Sequence, residues 1–397
     1  MKNSKRKIII TLLTAFCLLA VTVLTGCGGS AGSGSAAGTS ESSSSAQSSA
    51  PDIKGLTYKS TMDLQYANQF AVYSYEDGYK LIDIKEEGQF LVVPKGKDAP
   101  EGLSKDITVL KQPLDHIYVA ATASMALFSS MNGLDNVSMT SLKKNGWSFD
   151  SIKKKMDSGD IVYAGKYNEP DYELLLDRKC DLAVESTMIY HTPDVQDMIS
   201  DLKIPVLVDR SSYETNPLGR TEWIRLYGVL TGHEKDAESF FSAQVKKIKK
   251  LEGFKNTEKT VAFFYISTDG KAVVRRSSDY VPTMIEMAGG RYIFKKLDDP
   301  NGRTSVPMTI EKFYDTAADA DYVVYNGSID GTVHTKADLL AKDPIMKKFT
   351  AVKEGRCYVT GASMYQRTDI TGEMILDFHK LLTEKDPTDM QFLSKLE

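Results

Sequence analysis

Residues 216–251 constrain the fold of this chain more than any other stretch. Asn216 is a helix-capping residue type and Pro217 fits a first helical turn. Trp223, Ile224, Leu226, Tyr227 and Leu230 carry an apolar run up to Gly232, a stop signal. A second helix is predicted from His233 or Glu234, with Ala237, Phe241, Val245 and Ile248 at spacings of three and four and Phe240 and Leu251 widening the stripe. At 1.5 Å per residue, roughly 18 residues span about 27 Å. That length suits a joint between two lobes; the same periodicity also suits a surface helix in one large α/β domain.

Either side of this stretch, short apolar runs alternate with helical patterns. In the first half the strands are Ile117 to Ala120, Val137 to Thr140, Ile161 to Ala164, Leu182 to Val184 and Val206 to Val208, with helices expected from Ser124, near Ser148 and near Pro170. In the second half the strands are Val261 to Ile266, Ala272 to Val274, Tyr322 to Tyr325 and Tyr358 to Thr360. Helices are expected after Asp279, from Thr309, from Asp338 and from Thr371. These are βα units, and in open α/β sheets ligands gather at the carboxyl ends of the strands. A chain of 397 residues is long enough for two such domains. A parallel phrase marks each half: Glu173 ahead of Asp181 to Val184, and Glu311 ahead of Asp321 to Val324. Ahead of the first βα unit, Phe70 to Tyr75 and Tyr79 to Ile84 form a hairpin pattern that Phe90 to Val93 extends.

The amino terminus has the layout of an export signal: Lys2, Lys5, Arg6 and Lys7 precede an apolar run from Ile8 to Leu24. Leu24, Thr25, Gly26 and Cys27 resemble the lipobox of bacterial lipoproteins, which implies cleavage before Cys27 and lipidation of its thiol. Residues 28–50 are almost entirely Gly, Ser, Ala and Thr and suit a flexible tether. The formal net charge of −4 falls further when the basic leader is removed, so a nucleic-acid partner is not expected. Cys180 and Cys357 are the cysteines of the folded part, either buried fillers or a pair.

No phosphate-binding loop, dinucleotide fingerprint or nucleophile elbow occurs, and the five histidines are scattered without a zinc spacing. Neither a cofactor nor a metal is expected. Candidate ligand residues at predicted strand ends are Ala123 and Ser124, Trp147, the turn at residues 167–169, Tyr190, and Arg210 to Tyr213.

The whole order, lipobox, polar tether, α/β lobe, helix and α/β lobe, resembles the solute-binding lipoproteins of ABC importers. It most resembles the class that binds iron complexes and vitamin B12. The marks are the W-I-x-x-Y-G-x-L-T-G segment within residues 216–232, read with residues 234–251, and the two Glu-to-Asp phrases. The resemblance implies an α/β fold of two Rossmann-like lobes joined by one long helix, with the ligand cleft between them. The parts would be a signal peptide (1–26), the lipidated cysteine and tether (27–54), an N-terminal lobe (55–232), the interlobe helix (233–253) and a C-terminal lobe (254–397). It implies a monomeric binding protein without catalysis, anchored outside the cell membrane by Cys27. Its cargo would be an iron complex such as a ferric siderophore, or haem or a corrinoid. Family members dock on a permease dimer through one glutamate per lobe, here Glu173 and Glu311, with Glu169 a local alternative to the first. Aromatic walls suit a large ring and arginines suit an anionic complex, so Trp147, Tyr190, Arg210 and Tyr213 are expected at one wall and Arg275, Arg276 and Tyr365 at the other. Only one of the adjacent arginines would face the cleft if both lie in a strand. Residues 55–110 are an addition to the minimal pattern. A surface-anchored carbohydrate hydrolase and a structural adhesion module are the rival readings.

Overall fold

The computed structural model describes residues 50–299 and 303–397, of which Ala50–Glu397 forms one compact unit. The leader, Cys27 and nearly all of the tether lie outside the described residues. No described helix is long and apolar enough to cross a membrane.

The N-terminal lobe is built on a five-stranded parallel sheet in the order Val206–Asp209, Leu182–Ser186, Ile117–Val119, Val137–Thr140 and Val162–Tyr163. Its strands are buried on both faces, which is why they read as continuous apolar runs. Leu182 and Val184 face one core with Ile117 and Val119; Ala183 faces another with Tyr118 and Met139. The C-terminal lobe carries a mixed sheet. Thr260–Ile266, Tyr322–Tyr325 and Cys357–Thr360 run parallel at its centre, while Ala272–Arg275, Ser305–Met308 and Leu393–Lys395 add antiparallel edges. Phe264, Phe313 and Phe349 pack ring on ring inside it.

Two consecutive helices touch both cores. In Pro217–Thr231, Leu218 belongs to the C-terminal core, whereas Trp223, Ile224 and Tyr227 belong to the N-terminal one. In Glu234–Lys249, Ala237 and Phe241 pack on the N-terminal side and Ile248 on the C-terminal side. Asn216 caps the first through its side chain at Leu218, and Gly232 ends it at a φ of 79°, a left-handed position where Gly carries no steric cost. A loop of the C-terminal lobe meets the N-terminal lobe: Gln366 accepts from the Ser148 amide and hydroxyl at 3.0 and 2.8 Å and donates to the Gly146 carbonyl at 2.7 Å.

Residues 58–111 form a separate five-stranded sheet, antiparallel except for its last pair. Buried carboxylates fasten it to the helix Pro217–Thr231 and to the loop ahead of that helix. Glu222, fully buried, accepts from the amides of Gln65, Tyr66 and Ala67 at 2.8–2.9 Å, and Glu214 accepts from those of Asn68 and Gln69. Cys180 and Cys357 are both buried and both free thiols.

Candidate ligand-binding site

A cavity of about 1080 Å³ opens between the lobes, a size suited to a large small-molecule ligand. From the N-terminal lobe its wall is made by the segments that follow the parallel strands, among them Ala120–Ser124, Ser141–Lys143, Ser186–Met188 and Ser211–Tyr213. This is the strand-end placement that parallel topology imposes, since each chain leaves its strand on that side before entering a helix or turn. The facing wall includes Arg220, Arg275, Arg303 and Tyr365.

Of the residues expected at the site, Tyr190, Tyr213, Arg275 and Tyr365 line this cavity. Three others do not. Trp147 is 2% exposed and packs in the N-terminal core, its indole N–H donating to the Leu142 carbonyl at 3.2 Å. Arg210 lies behind the wall, stacked 4.6 Å over the Tyr213 ring and paired with Glu86 at 2.8 Å. Arg276 follows the strand end where Arg275 turns to the cavity, and its side-chain Nε is buried. Glu173 and Glu311 are exposed, each in the first turn of its helix, Tyr172–Asp177 and Ile310–Ala317, and Glu169 is exposed in the strand just before the first.

The cavity wall carries five basic side chains, Lys143, Lys166, Arg220, Arg275 and Arg303, against the single carboxylate of Asp209. Two of the five are already neutralised. Arg275 grips Asp279 with two bonds of 2.9 and 2.8 Å, and Arg303 grips Asp299 at 2.8 Å. Arg220 is different: 8% exposed, it stacks 4.1 Å over the Tyr280 ring and has no carboxylate partner among the described residues. A nearly buried guanidinium held by an aromatic face alone is costly without a counter-charge. Its remaining donors are available to a ligand.

Asp209 is consumed by its surroundings. It accepts from the Tyr227 hydroxyl at 2.5 Å, from the Ser211 amide at 2.7 Å and from the Ser124 hydroxyl. Burial, then the neighbouring Asp209 charge, pushes the Tyr227 phenol well above its ordinary value, so Tyr227 stays a donor. The Ser124 hydroxyl donates to the Asp209 carboxylate and accepts from the Tyr227 hydroxyl at 3.0 Å, so all three groups are tied to one another. Tyr365 is arranged as a donor as well: its oxygen accepts from the Asn326 side-chain amide at 2.7 Å, leaving its own proton for a ligand. No group of three or more His, Cys, Asp or Glu among the described residues could hold a metal ion. The wall combines tyrosine rings (Tyr163, Tyr167, Tyr190, Tyr213) with uncompensated positive charge.

Arg220 is a site residue not among those expected from the sequence. It sits with Thr221 and Glu222 in an otherwise apolar helix, and that polar triplet was the available clue.

The sequence profile of the periplasmic binding proteins matches residues 123–364. The uncharacterised lipoprotein MJ0878 of Methanocaldococcus jannaschii is 26% identical over 387 residues, covering 92% of this chain and 91% of its own. Among solved structures, the periplasmic haem-binding protein HutB of Vibrio cholerae aligns with a TM-score of 0.53 at 16% identity, over 65% of this chain and 96% of that one. An ABC-type Fe3+-hydroxamate transport system of Saccharomonospora viridis aligns with a TM-score of 0.52 at 16% identity, over 68% and 94%. At such identities the structural likeness concerns the fold.

Proposed function

Because this chain belongs to the periplasmic binding protein family, we propose that it is the lipid-anchored receptor of an ABC importer, capturing an anionic iron complex and passing it to the permease unchanged. The observation that carries the reading is Arg220, a nearly buried cation on the wall of the interlobe cavity with no carboxylate partner among the described residues. A cargo carboxylate, catecholate or hydroxamate oxygen would supply its missing partner by a charge-assisted hydrogen bond. Lys143 and Lys166, both exposed on the same wall, add attraction at longer range.

The names of the two solved relatives, one for haem and one for Fe3+-hydroxamate transport, support the cargo class. Haem is a second reading, favoured by the tyrosine rings and by the fit of two propionates to a basic wall. A corrinoid fits less well, because its large neutral body leaves Arg220 without a counter-charge. The lipoprotein name of the archaeal relative and the Leu24–Cys27 sequence support anchoring through Cys27 outside the cell membrane. Glu173 and Glu311, exposed at helix starts in separate lobes, are the residues for two-point docking on a basic permease dimer. Capture by a monomer requires neither a cofactor nor covalent chemistry.

Native mass spectrometry of residues 50–397 with a ferric tricatecholate siderophore, haemin and cobalamin in competition tests this. Retention of one anionic iron complex at one per chain is expected. Selective retention of cobalamin, or of none of the three, would refute the cargo assignment.

A further inference from the structure

We infer that the turn at residues 85–88 of the added N-terminal sheet is a positioning element of the cargo cavity, with Glu87 setting the Tyr190 and Tyr213 wall. The inference rests on the interlobe cavity being the cargo site.

The turn joins the strands Lys80–Ile84 and Gly88–Val93, with Ile84 paired to Gly88 across it. Glu86 takes a left-handed φ of 64°, uncommon for a residue with a Cβ, and this turns its carboxylate toward Arg210. Glu87 is drawn inward, its side chain only 10% exposed. It accepts the Tyr190 hydroxyl proton, while the Tyr190 oxygen accepts from Arg210 Nη1 at 3.2 Å. Both hydrogen-bonding capacities of that phenol are therefore taken. Arg210 in turn is held by Glu86 at 2.8 Å and by Gln69 at 3.4 Å, and its guanidinium lies over the Tyr213 ring. A continuous series of contacts thus runs from Glu87 through the Tyr190 hydroxyl and Arg210 to Tyr213. Its two aromatic members line the cavity.

These rings are the adaptable part of the wall, at 39% and 37% exposure. Left free, each would lose rotational freedom when cargo binds; held in place beforehand, each presents a fixed face at a smaller entropic cost. The sheet that carries the turn is itself tied to the lobe by Glu214 and Glu222, so the turn is a fixed part of the wall.

Charge gives the arrangement a direction. Arg210 is answered by the carboxylates of Glu86 and Glu87 behind the wall, while Arg220 on the wall has no carboxylate partner among the described residues and attracts anions. An anionic complex is accordingly turned with its acidic groups toward Arg220 and its ring or ligand framework against Tyr190 and Tyr213.

The test uses the full chain in detergent, as wild type, Glu87→Gln, Glu87→Ala, Tyr190→Phe and the Glu87→Ala/Tyr190→Phe double variant. Haemin and a ferric tricatecholate are titrated by quenching of intrinsic fluorescence, and hydrogen exchange at residues 211–213 is followed without any probe. Glu87→Ala should weaken binding by about tenfold, the scale of one lost charge-assisted hydrogen bond, and speed exchange at residues 211–213. Glu87→Gln, which keeps an acceptor for the phenol, should bind about as tightly as wild type. The double variant should be no weaker than the weaker single variant, because both changes break the same series. Unchanged binding and exchange in Glu87→Ala, or multiplying effects in the double variant, would overturn the inference. If wild type binds neither probe, the cargo reading falls, and the exchange comparison alone decides whether Glu87 holds the wall.

Discussion

Glu185 sits where a carboxylate should not be. It lies on the interior strand Leu182–Ser186, fully buried, on the face shared with Tyr118 and Ala183, and neither of its oxygens has a hydrogen-bond partner among the described residues. Burial without a partner disfavours the charged form and pushes the carboxyl up from 4.5 to about 8. Its ionisation in the folded state thus lies above that in the unfolded chain. The associated stability is present in full below pH 4.5, declines as pH rises, and is gone above about pH 8. At ~1.36 kcal/mol per pH unit, the interval from pH 5 to pH 8 corresponds to about 4 kcal/mol. Glu185→Gln removes the titration while keeping the shape, and whatever its unpaired amide costs is the same at every pH. Urea unfolding of both proteins at pH 5, 7 and 9, followed by the fluorescence of the buried Trp147 and Trp223, isolates the effect. The variant should gain on wild type by about 4 kcal/mol across the range. A difference constant within ~1 kcal/mol from pH 5 to pH 9 would mean that Glu185 is solvated or paired in the folded protein, and the reasoning would fail.

Three more outcomes follow from named contacts. Arg220→Ala should weaken binding of an anionic iron complex by about thirtyfold or more and raise the melting temperature of the cargo-free protein, because an uncompensated cation is removed; isothermal titration and calorimetry read the two effects, and either unchanged binding or a lower melting temperature would contradict the assignment. Glu222→Ala leaves three amides and Arg225 without their buried acceptor and should cost about 3–5 kcal/mol in urea unfolding; a loss under ~1 kcal/mol would show that the added sheet is held by other means. Replacing both Glu173 and Glu311 by Gln should leave cargo affinity unchanged and lower stimulation of the permease ATPase, most clearly at low salt; equal stimulation at every salt concentration would rule these residues out.

The alternation of strand and helix was legible because strands buried on both faces leave unbroken apolar runs, as at Val261 to Ile266, and because Asn216, Pro217 and Gly232 punctuate a helix locally. The cavity was legible only in part. Tyr190 and Tyr213 follow strand ends, where parallel topology places ligands, and Arg275 ends a strand. Trp147 obeys the same positional logic yet packs inward, since direction at a strand end is set by neighbours that local pattern does not contain. Arg210, expected at the wall, lies behind it. Its charge is answered by Glu86, more than a hundred residues earlier, and no periodicity links a turn of one sheet to the strand end of another. Glu185 lies one residue past the predicted strand Leu182 to Val184, and its burial depends on the helices laid over that face.

The polar triplet Arg220–Thr221–Glu222 shows how those separations are bridged. In an amphipathic surface helix its three consecutive side chains would face solvent, but here the helix is covered on every side and each meets a different structure. Arg220 faces the cavity over Tyr280, a residue of the C-terminal lobe. Thr221 donates at 2.8 Å to the Thr368 carbonyl, in the loop that also meets Ser148 of the N-terminal lobe through Gln366. Glu222 holds the backbone between the first two strands of the added sheet. Successive residues on a helix point about 100° apart, so one short segment can address the cavity, the interlobe contact and the added sheet at once. A shift of this helix cannot alter one without disturbing the others. Cargo that draws on Arg220 therefore acts on the element that also fixes the interlobe loop and the sheet bearing Glu87.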